Sequence, residues 1–260
     1  MTWGKSVVFI SGASRGIGKE IFNSMLEKVS EQSVFLVLAR NEALLTELKS
    51  QGEAKNMIVE KFVTDLGHLQ QKTLDDLATT ISKLEGDYDN LFVFHNAGSV
   101  GDTSVPCSKI LDQENWQVYL NSNLISMILL NNKILAEASS KKFKNRYVIN
   151  ITSLIAIQAF PSLGQYGVGK AAREGFFRSL AVEESDLRIL SYSPGPVDTD
   201  MHTDIHDTTY DAGIKAAFDR KAPSTDVNRQ TLTTSQTVGK LMEILTANEF
   251  TSGSRIDYFD

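Results

Sequence analysis

The chain reads as an α/β fold: one domain on a doubly wound parallel sheet of about seven strands, with helices on both faces. Three observations predict it. Short β-branched and apolar runs alternate with longer amphipathic stretches. The short runs are apolar on both faces, as strands covered by helices on either side must be. No Pro-, Gly- or Ser-rich linker divides the 260 residues, a length that closes around one large core.

Taken in order, the strand candidates are "SVVFI" at 6–10, "SVFLVLA" at 33–39, "MIVEKFV" at 57–63, "NLFVFH" at 90–95, "RYVINIT" at 146–152 and "LRILSYS" at 187–193. A short last strand follows the glycine turn in "TSGSRI" and would complete the sheet edge. Helical spacing of apolar residues marks 17–29, 41–51, 66–85, 114–140 and 165–185 between them. One segment breaks the pattern. Residues 198–228 are polar and weakly periodic, and directly follow the sixth strand. Two readings fit them, a lid over a site at the carboxyl ends of the strands or a solvated surface insertion.

The totals exclude several classes of function. A net charge of −6 argues against a polyanion as the main partner, so no nucleic acid is expected. No run is long enough to span a bilayer, and the first residues pass from one lysine into a short strand without a secretory pattern. A lone Cys107 fits a reducing compartment, and the expected location is the cytoplasm. "NIT" at Asn150 matches a glycosylation acceptor, but it falls in an expected buried strand and is read as chance.

"SGASRGIG" at 11–18 joins the first strand to the first helix. Glycines 12, 16 and 18 permit a tight turn, bring backbone N–H groups to a pyrophosphate and let the helix pack on the sheet. Alone such a cluster is equally a plain turn; at this junction it points to a nucleotide in a Rossmann-type domain. Sites for NAD place an acid at the end of the second strand, for the ribose hydroxyls. This chain has Arg40 there and Arg15 in the glycine turn, both suited to a 2′-phosphate. That predicts NADP(H), unless both arginines are solvated surface residues.

"YGVGK" sets Tyr166 and Lys170 on one helix face, Ser153 ends the fifth strand, and Asn123 lies on the long helix before it. With the three glycines, "HNAG" at 95–98 and "PGPVDT" at 194–199, this set resembles the short-chain dehydrogenase/reductase family over nearly the whole chain. Departures are Ser11 where Thr is usual, His95 where Asn is usual, and Thr152 before Ser153 where a second Ser is common. The resemblance implies NADP(H) contacts from Gly12, Ser14, Arg15, Gly16, Ile17, Gly18, Arg40, Asn41, Asp65 and Leu66. It implies further contacts from Asn96, Ala97, Gly98, Tyr166, Lys170, Pro194, Gly195, Val197 and Thr199. It also implies that Tyr166 protonates a carbonyl oxygen that Ser153 hydrogen-bonds, that Lys170 holds the nicotinamide ribose, and that Asn123 orders a water resupplying the proton. An ammonium about 5 Å from the phenol, at an effective dielectric of about 20, favours the phenolate by roughly 3 kcal/mol, which lowers the expected pKa of Tyr166.

Segments beyond these motifs, among them "LARN" at 38–41, "NAGSVGD" at 96–102, "YGVGKAARE" at 166–174 and "EFTSGSRIDYFD" at 249–260, resemble a narrower branch of the family. Its members use NADPH to reduce the side-chain carbonyls of pterins on the way to tetrahydrobiopterin. The resemblance implies that an acid in the C-terminal segment anchors the pterin, here Asp257, since one carboxylate accepts two parallel hydrogen bonds from the amino-pyrimidinone edge. Ser153, Tyr166 and Gly195 would meet the substrate, with Leu154, Phe160 and Met201 as apolar walls or as ordinary packing. The competing reading is a broad NADPH carbonyl or diketone reductase, in which Asp257 is incidental; a non-catalytic NADPH sensor would have lost part of the Ser/Tyr/Lys set. Segments 114–140 and 165–185 are the expected homodimer face by the same family resemblance. His202 and His206 in "HTDIH" have metal-pair spacing but no clear third ligand, so a polar loop and no metal are expected.

Overall fold

The computed structural model describes residues 3–138, 143–219 and 231–260. Seven strands form one parallel sheet: β1 (Ser6–Ser11), β2 (Val34–Ala39), β3 (Ile58–Val63), β4 (Tyr88–His95), β5 (Phe143–Ile151), β6 (Leu187–Ser193) and β7 (Ser254–Asp257). Their spatial order is β3-β2-β1-β4-β5-β6-β7. The order reverses between β1 and β4, and a crevice at the carboxyl ends of the strands opens at such a switch point.

Apolar residues on both faces of the strands draw helices to each side. Ile21, Phe22 and Met25 of α1 (Gly16–Leu26), Leu45 and Leu48 of α2 (Glu42–Glu53), and part of a later helix join one core layer. Leu74, Leu77 and Ile81 of α3 (Gln71–Ser82) belong to the other layer, with residues of two helices described below.

The expected 66–85 helix is a single 3-10 turn at Leu66–His68 followed by α3. The expected 114–140 helix is α4 (Gln113–Leu120), a π turn at Asn121–Ile125 and α5 (Ser126–Ala138); residues 139 and 140 lie outside the described residues. A π turn inserts one residue into the helical ladder, which periodicity over a long window averages away. α6 (Gly164–Glu183) matches its expected range closely.

The irregular excursion expected over 198–228 is corrected. It contains α7 (Asp200–Thr208) and α8 (Ala212–Ala217), whose buried Ile205 and Ile214 face a third apolar cluster. Residues 220–228 of that segment lie outside the described residues. Its polar character is real, but two buried residues on α7 and one on α8 suffice to fix each against a wall. α9 (Thr234–Ala247) adds a helix to those expected, opened by a capping box between Thr233 and Gln236. Among the described residues no helix is long and apolar enough to cross a membrane.

Candidate active site

A cleft of about 2020 Å³ runs along the carboxyl ends of the strands. Small-molecule pockets are commonly about 300–1,000 Å³, so this one has room for a dinucleotide and a second ligand. Every candidate residue named from the sequence lines it except Gly18 and Asn123. Both of these sit just behind the wall.

At one end lies the glycine turn. Gly12 and Gly16 hold φ of +68° and +55°, where a side chain is strained. A Cβ at Gly18 would stand 2.1 Å from the Gly12 carbonyl oxygen, so helix and turn approach as only glycine allows. The Asn96 side chain donates to the carbonyls of Ser11 (3.2 Å) and Gly12 (3.1 Å). The Ser11 hydroxyl accepts from the backbone N–H groups of Asn96 (3.1 Å) and Ala97 (3.2 Å). Arg15, at the N-cap of α1, makes no side-chain cap, which leaves the helix's first N–H groups to face the cleft. That cradle fits a pyrophosphate.

Arg40 is exposed at the end of β2, on the cleft, with no ion pair among the described residues. Asn41 beside it caps α2 through Leu44 N–H at 3.1 Å, and Asp65 caps the 3-10 turn through Gly67 N–H at 2.9 Å. Arg15 is paired with Asp200 at the start of α7, at 2.5 Å across the cleft mouth. Both side chains are largely exposed, and such pairs contribute under about 1 kcal/mol, so the pair does not withhold Arg15 from a phosphate.

Ser153, Tyr166 and Lys170 converge at the centre. Tyr166 is buried on α6, and the Lys170 ammonium lies 5.5 Å from its ring centre while donating to the Ile151 carbonyl at 2.6 Å. Ser153 caps the turn after β5 through Ile155 N–H at 3.4 Å. The expected lowering of the phenol is corrected. Burial raises the Tyr166 pKa by more than the Ser153 hydroxyl and the charge of Arg173 lower it. Burial and the Arg173 charge push Lys170 well below its ordinary value, against the pull of Glu174. The site therefore holds a protonated phenol, the form able to donate to a carbonyl oxygen.

Asn123 sits in the π turn. Its carbonyl accepts from Ser99 N–H (2.7 Å), and its amide donates to Tyr119 O (2.9 Å) and Ser99 Oγ (3.1 Å). Both amide hydrogens are spent, so a water ordered at this turn would need the other lone pair or the backbone.

Two arginines were missed by sequence reasoning. Arg173 is 1% exposed, and its guanidinium donates to Asn150 Oδ1 (2.8 Å), Ala97 O (2.9 Å) and His95 O (2.5 Å). A Cβ at Gly98 would meet Asn123 Oδ1, Lys170 Nζ and Arg173 Nη1 within 3.9 Å, so two cations lie under the Asn96-Ala97-Gly98 loop. Arg255 on β7 donates to Ser153 O (3.0 Å) and to buried Glu174 (2.7 Å), and pairs with Asp257 (3.1 Å). The available signal was the position of Arg173 three residues after Lys170, one turn on along the same helix face.

At the far end Asp257 closes β7 beside Ser193 of β6, and Phe160 and Met201 pack against the third apolar cluster with Leu163 and Tyr166. His202 and His206 lie on α7, correcting the expected loop; His202 is buried against Phe218 and His206 pairs with Asp207 at 2.7 Å. Among the described residues no three His, Cys, Asp or Glu side chains are grouped to hold a metal.

The fold, the glycine cradle and the Ser/Tyr/Lys centre describe a dinucleotide-dependent oxidoreductase. A sequence model of the short chain dehydrogenase family matches residues 6–209, and the chain belongs to that family. It is an oxidoreductase of the kind that uses NAD(P)(H). It is 31% identical over 265 residues to the sepiapterin reductase of Bos taurus, covering 99% of this chain and 96% of that one. It is 28% identical over 211 residues to a benzil reductase ((S)-benzoin forming) of Saccharomyces cerevisiae, covering 80% and 78%. Among solved structures, the short chain dehydrogenase/reductase YIR035C of Saccharomyces cerevisiae superposes with a TM-score of 0.79 at 27% identity, covering 99% and 97%.

Proposed function

We propose that this protein reduces the side-chain carbonyl of a pterin, of the sepiapterin or 6-pyruvoyl-tetrahydropterin kind, in tetrahydrobiopterin synthesis. The observation that carries the reading is Asp257: a carboxylate at the end of the last strand lines the same cleft as Ser153 and Tyr166. Similarity to sepiapterin reductases along nearly the whole chain supports it.

NADP(H) fits the uncapped α1 terminus, the glycine cradle and Arg40, which has no ion pair among the described residues and favours a 2′-phosphate over a ribose hydroxyl. When bound, it supplies the hydride that the carbonyl carbon receives. Tyr166 gives its proton to the carbonyl oxygen and Ser153 steadies that oxygen as charge develops. Lys170 would hold the nicotinamide ribose, and the proton would return by way of the Asn123 turn. Asp257 grips the far edge of the ring and turns binding energy into orientation of the C6 side chain. The lone, exposed Cys107 accords with a reducing cytoplasm, and a homodimer through α5 and α6 completes the proposal.

A second reading, a broad diketone reductase, draws on the Arg255 pair that already occupies one oxygen of Asp257, and on the similarity to a benzil reductase. The two separate in one experiment. With kcat/KM measured for sepiapterin and for benzil, Asp257→Asn lowers the sepiapterin-to-benzil ratio on the order of 10- to 100-fold, as expected for a lost hydrogen bond to a charged group. An equal loss on both substrates sinks the pterin anchor. Tyr166→Phe abolishes turnover of both while retaining NADPH affinity by fluorescence titration; a variant of wild-type activity would remove the proposed acid.

A further inference from the structure

We propose that Arg255 is a specificity-determining residue that reads the 4-oxo group of the substrate's pyrimidinone ring, next to the N–H edge taken by Asp257. This rests on the pterin reading and adds a second contact that family resemblance does not assign.

The argument is a count of donors. A guanidinium carries five N–H bonds. The two on Nη1 of Arg255 are spent on Ser153 O (3.0 Å) and Glu174 Oε1 (2.7 Å), and one on Nη2 meets Asp257 Oδ2 (3.1 Å). One hydrogen on Nη2 and the one on Nε have no acceptor among the described residues, and Arg255 lines the cleft. Its side chain is 17% exposed, and it is on the cleft that a ligand would replace water at these donors. A ligand carbonyl is the chemistry that would satisfy them.

Charge points the same way. The guanidinium is shared between two carboxylates, Glu174 at 3% side-chain exposure and Asp257 at 20%, so Asp257 keeps negative character for the substrate's N–H donors. Among the described residues Asp257 Oδ1 has only a long contact from Phe259 N–H at 3.4 Å, which leaves it open to accept. The groups also fall in a matching order. Along the protein, Asp257 bonds Arg255 and Arg255 bonds the backbone of Ser153. Along one edge of a pterin the sequence is N3–H, C4=O, N5 and the C6 acyl chain. Acid, guanidinium and catalytic hydroxyl therefore pair with donor, acceptor and reacting carbonyl in turn.

The test compares sepiapterin with its 4-amino counterpart, a 2,4-diaminopteridine bearing the same C6 acyl chain, in wild type, Arg255→Met and Arg255→Lys. Amino donors would face the guanidinium in the analogue, and sites built for a hydrogen bond reject such mismatches strongly. Wild type is expected to favour the 4-oxo compound in kcat/KM on the order of 100-fold. Arg255→Met should bring that ratio down by about tenfold or more, and Arg255→Lys, with a single compact donor, should fall between. Because both compounds are measured on each variant, a general loss of activity cancels in the ratio. A ratio unchanged in Arg255→Met overturns the assignment and leaves Arg255 a structural tie. Should Arg255→Met fail to fold, an Arg255→Lys ratio equal to that of wild type, or no discrimination by wild type itself, overturns it equally. If wild type prefers benzil to sepiapterin, the pterin reading and this inference fall together, whereas a lost 4-oxo preference with sepiapterin still favoured removes this inference alone.

Discussion

At the scale of single residues, the site is governed by what burial does to charge. Tyr166, Lys170 and Arg173 lie buried near one another, where each charged form is costly unless partnered. Arg173 stays bound to three acceptors even though burial lowers its pKa to about 10. The same physics sets His95, buried beside Asn131 at 3.2 Å and pushed down to about 3 by desolvation first and then by the Arg173 charge. Its folded pKa lies below its unfolded value of 6.5, so the unfolded chain takes up a proton the folded chain refuses. Stability is then full above that value and falls as pH drops toward the folded pKa. His95→Asn should flatten this acid limb by up to about 1.4 kcal/mol per pH unit, measured by urea unfolding across the window. Parallel limbs in the two proteins would show that His95 does not set it.

At the scale of elements, glycines of one chemical type do opposite work. Gly18 faces the Gly12 carbonyl, and Gly18→Ala forces backbone apart, so cofactor affinity should collapse. Gly239 lies within α9 with nothing within 4 Å of an added Cβ, and it is exposed. Gly239→Ala should stabilise the protein by about 1 kcal/mol through helix propensity, read as a raised thermal midpoint. A lowered midpoint would show that α9 does not accommodate the added methyl and would overturn this prediction. The π turn is a device of the same scale. It places Asn123 behind Gly98 and spends its side chain on the turn and on Ser99.

At the scale of the whole molecule, the parallel sheet brings distant segments to one rim. Arg255 meets Ser153 across 102 residues of sequence, and Arg15 meets Asp200 across 185. Ile125, Leu129 and Val168 remain exposed around α5 and α6, apolar surface that a second copy of the chain would cover under the homodimer proposal. Sedimentation is expected to give a dimer, and Leu129→Asp combined with Val168→Asp should shift it to monomer. A wild-type monomer at micromolar concentration would overturn the homodimer proposal.

By itself the sequence determined the sheet, the cofactor turn and the Ser/Tyr/Lys centre, because period, punctuation and short spacings are local properties that survive in one dimension. It placed strands to within a few residues, and all but two of the candidate site residues it named line the cleft. It could not divide 114–140 at the π turn or see helices in 198–228, where a single inserted residue or one buried side chain per turn leaves no periodic trace. Only the tertiary structure decided that burial raises Tyr166, that Arg173 lies beside Lys170 beneath the loop after β4, and that Arg255 joins Asp257 to Ser153. Each of these depends on which strand ends meet across the rim, and on how much water remains between them. Both are set by packing between segments far apart in the chain.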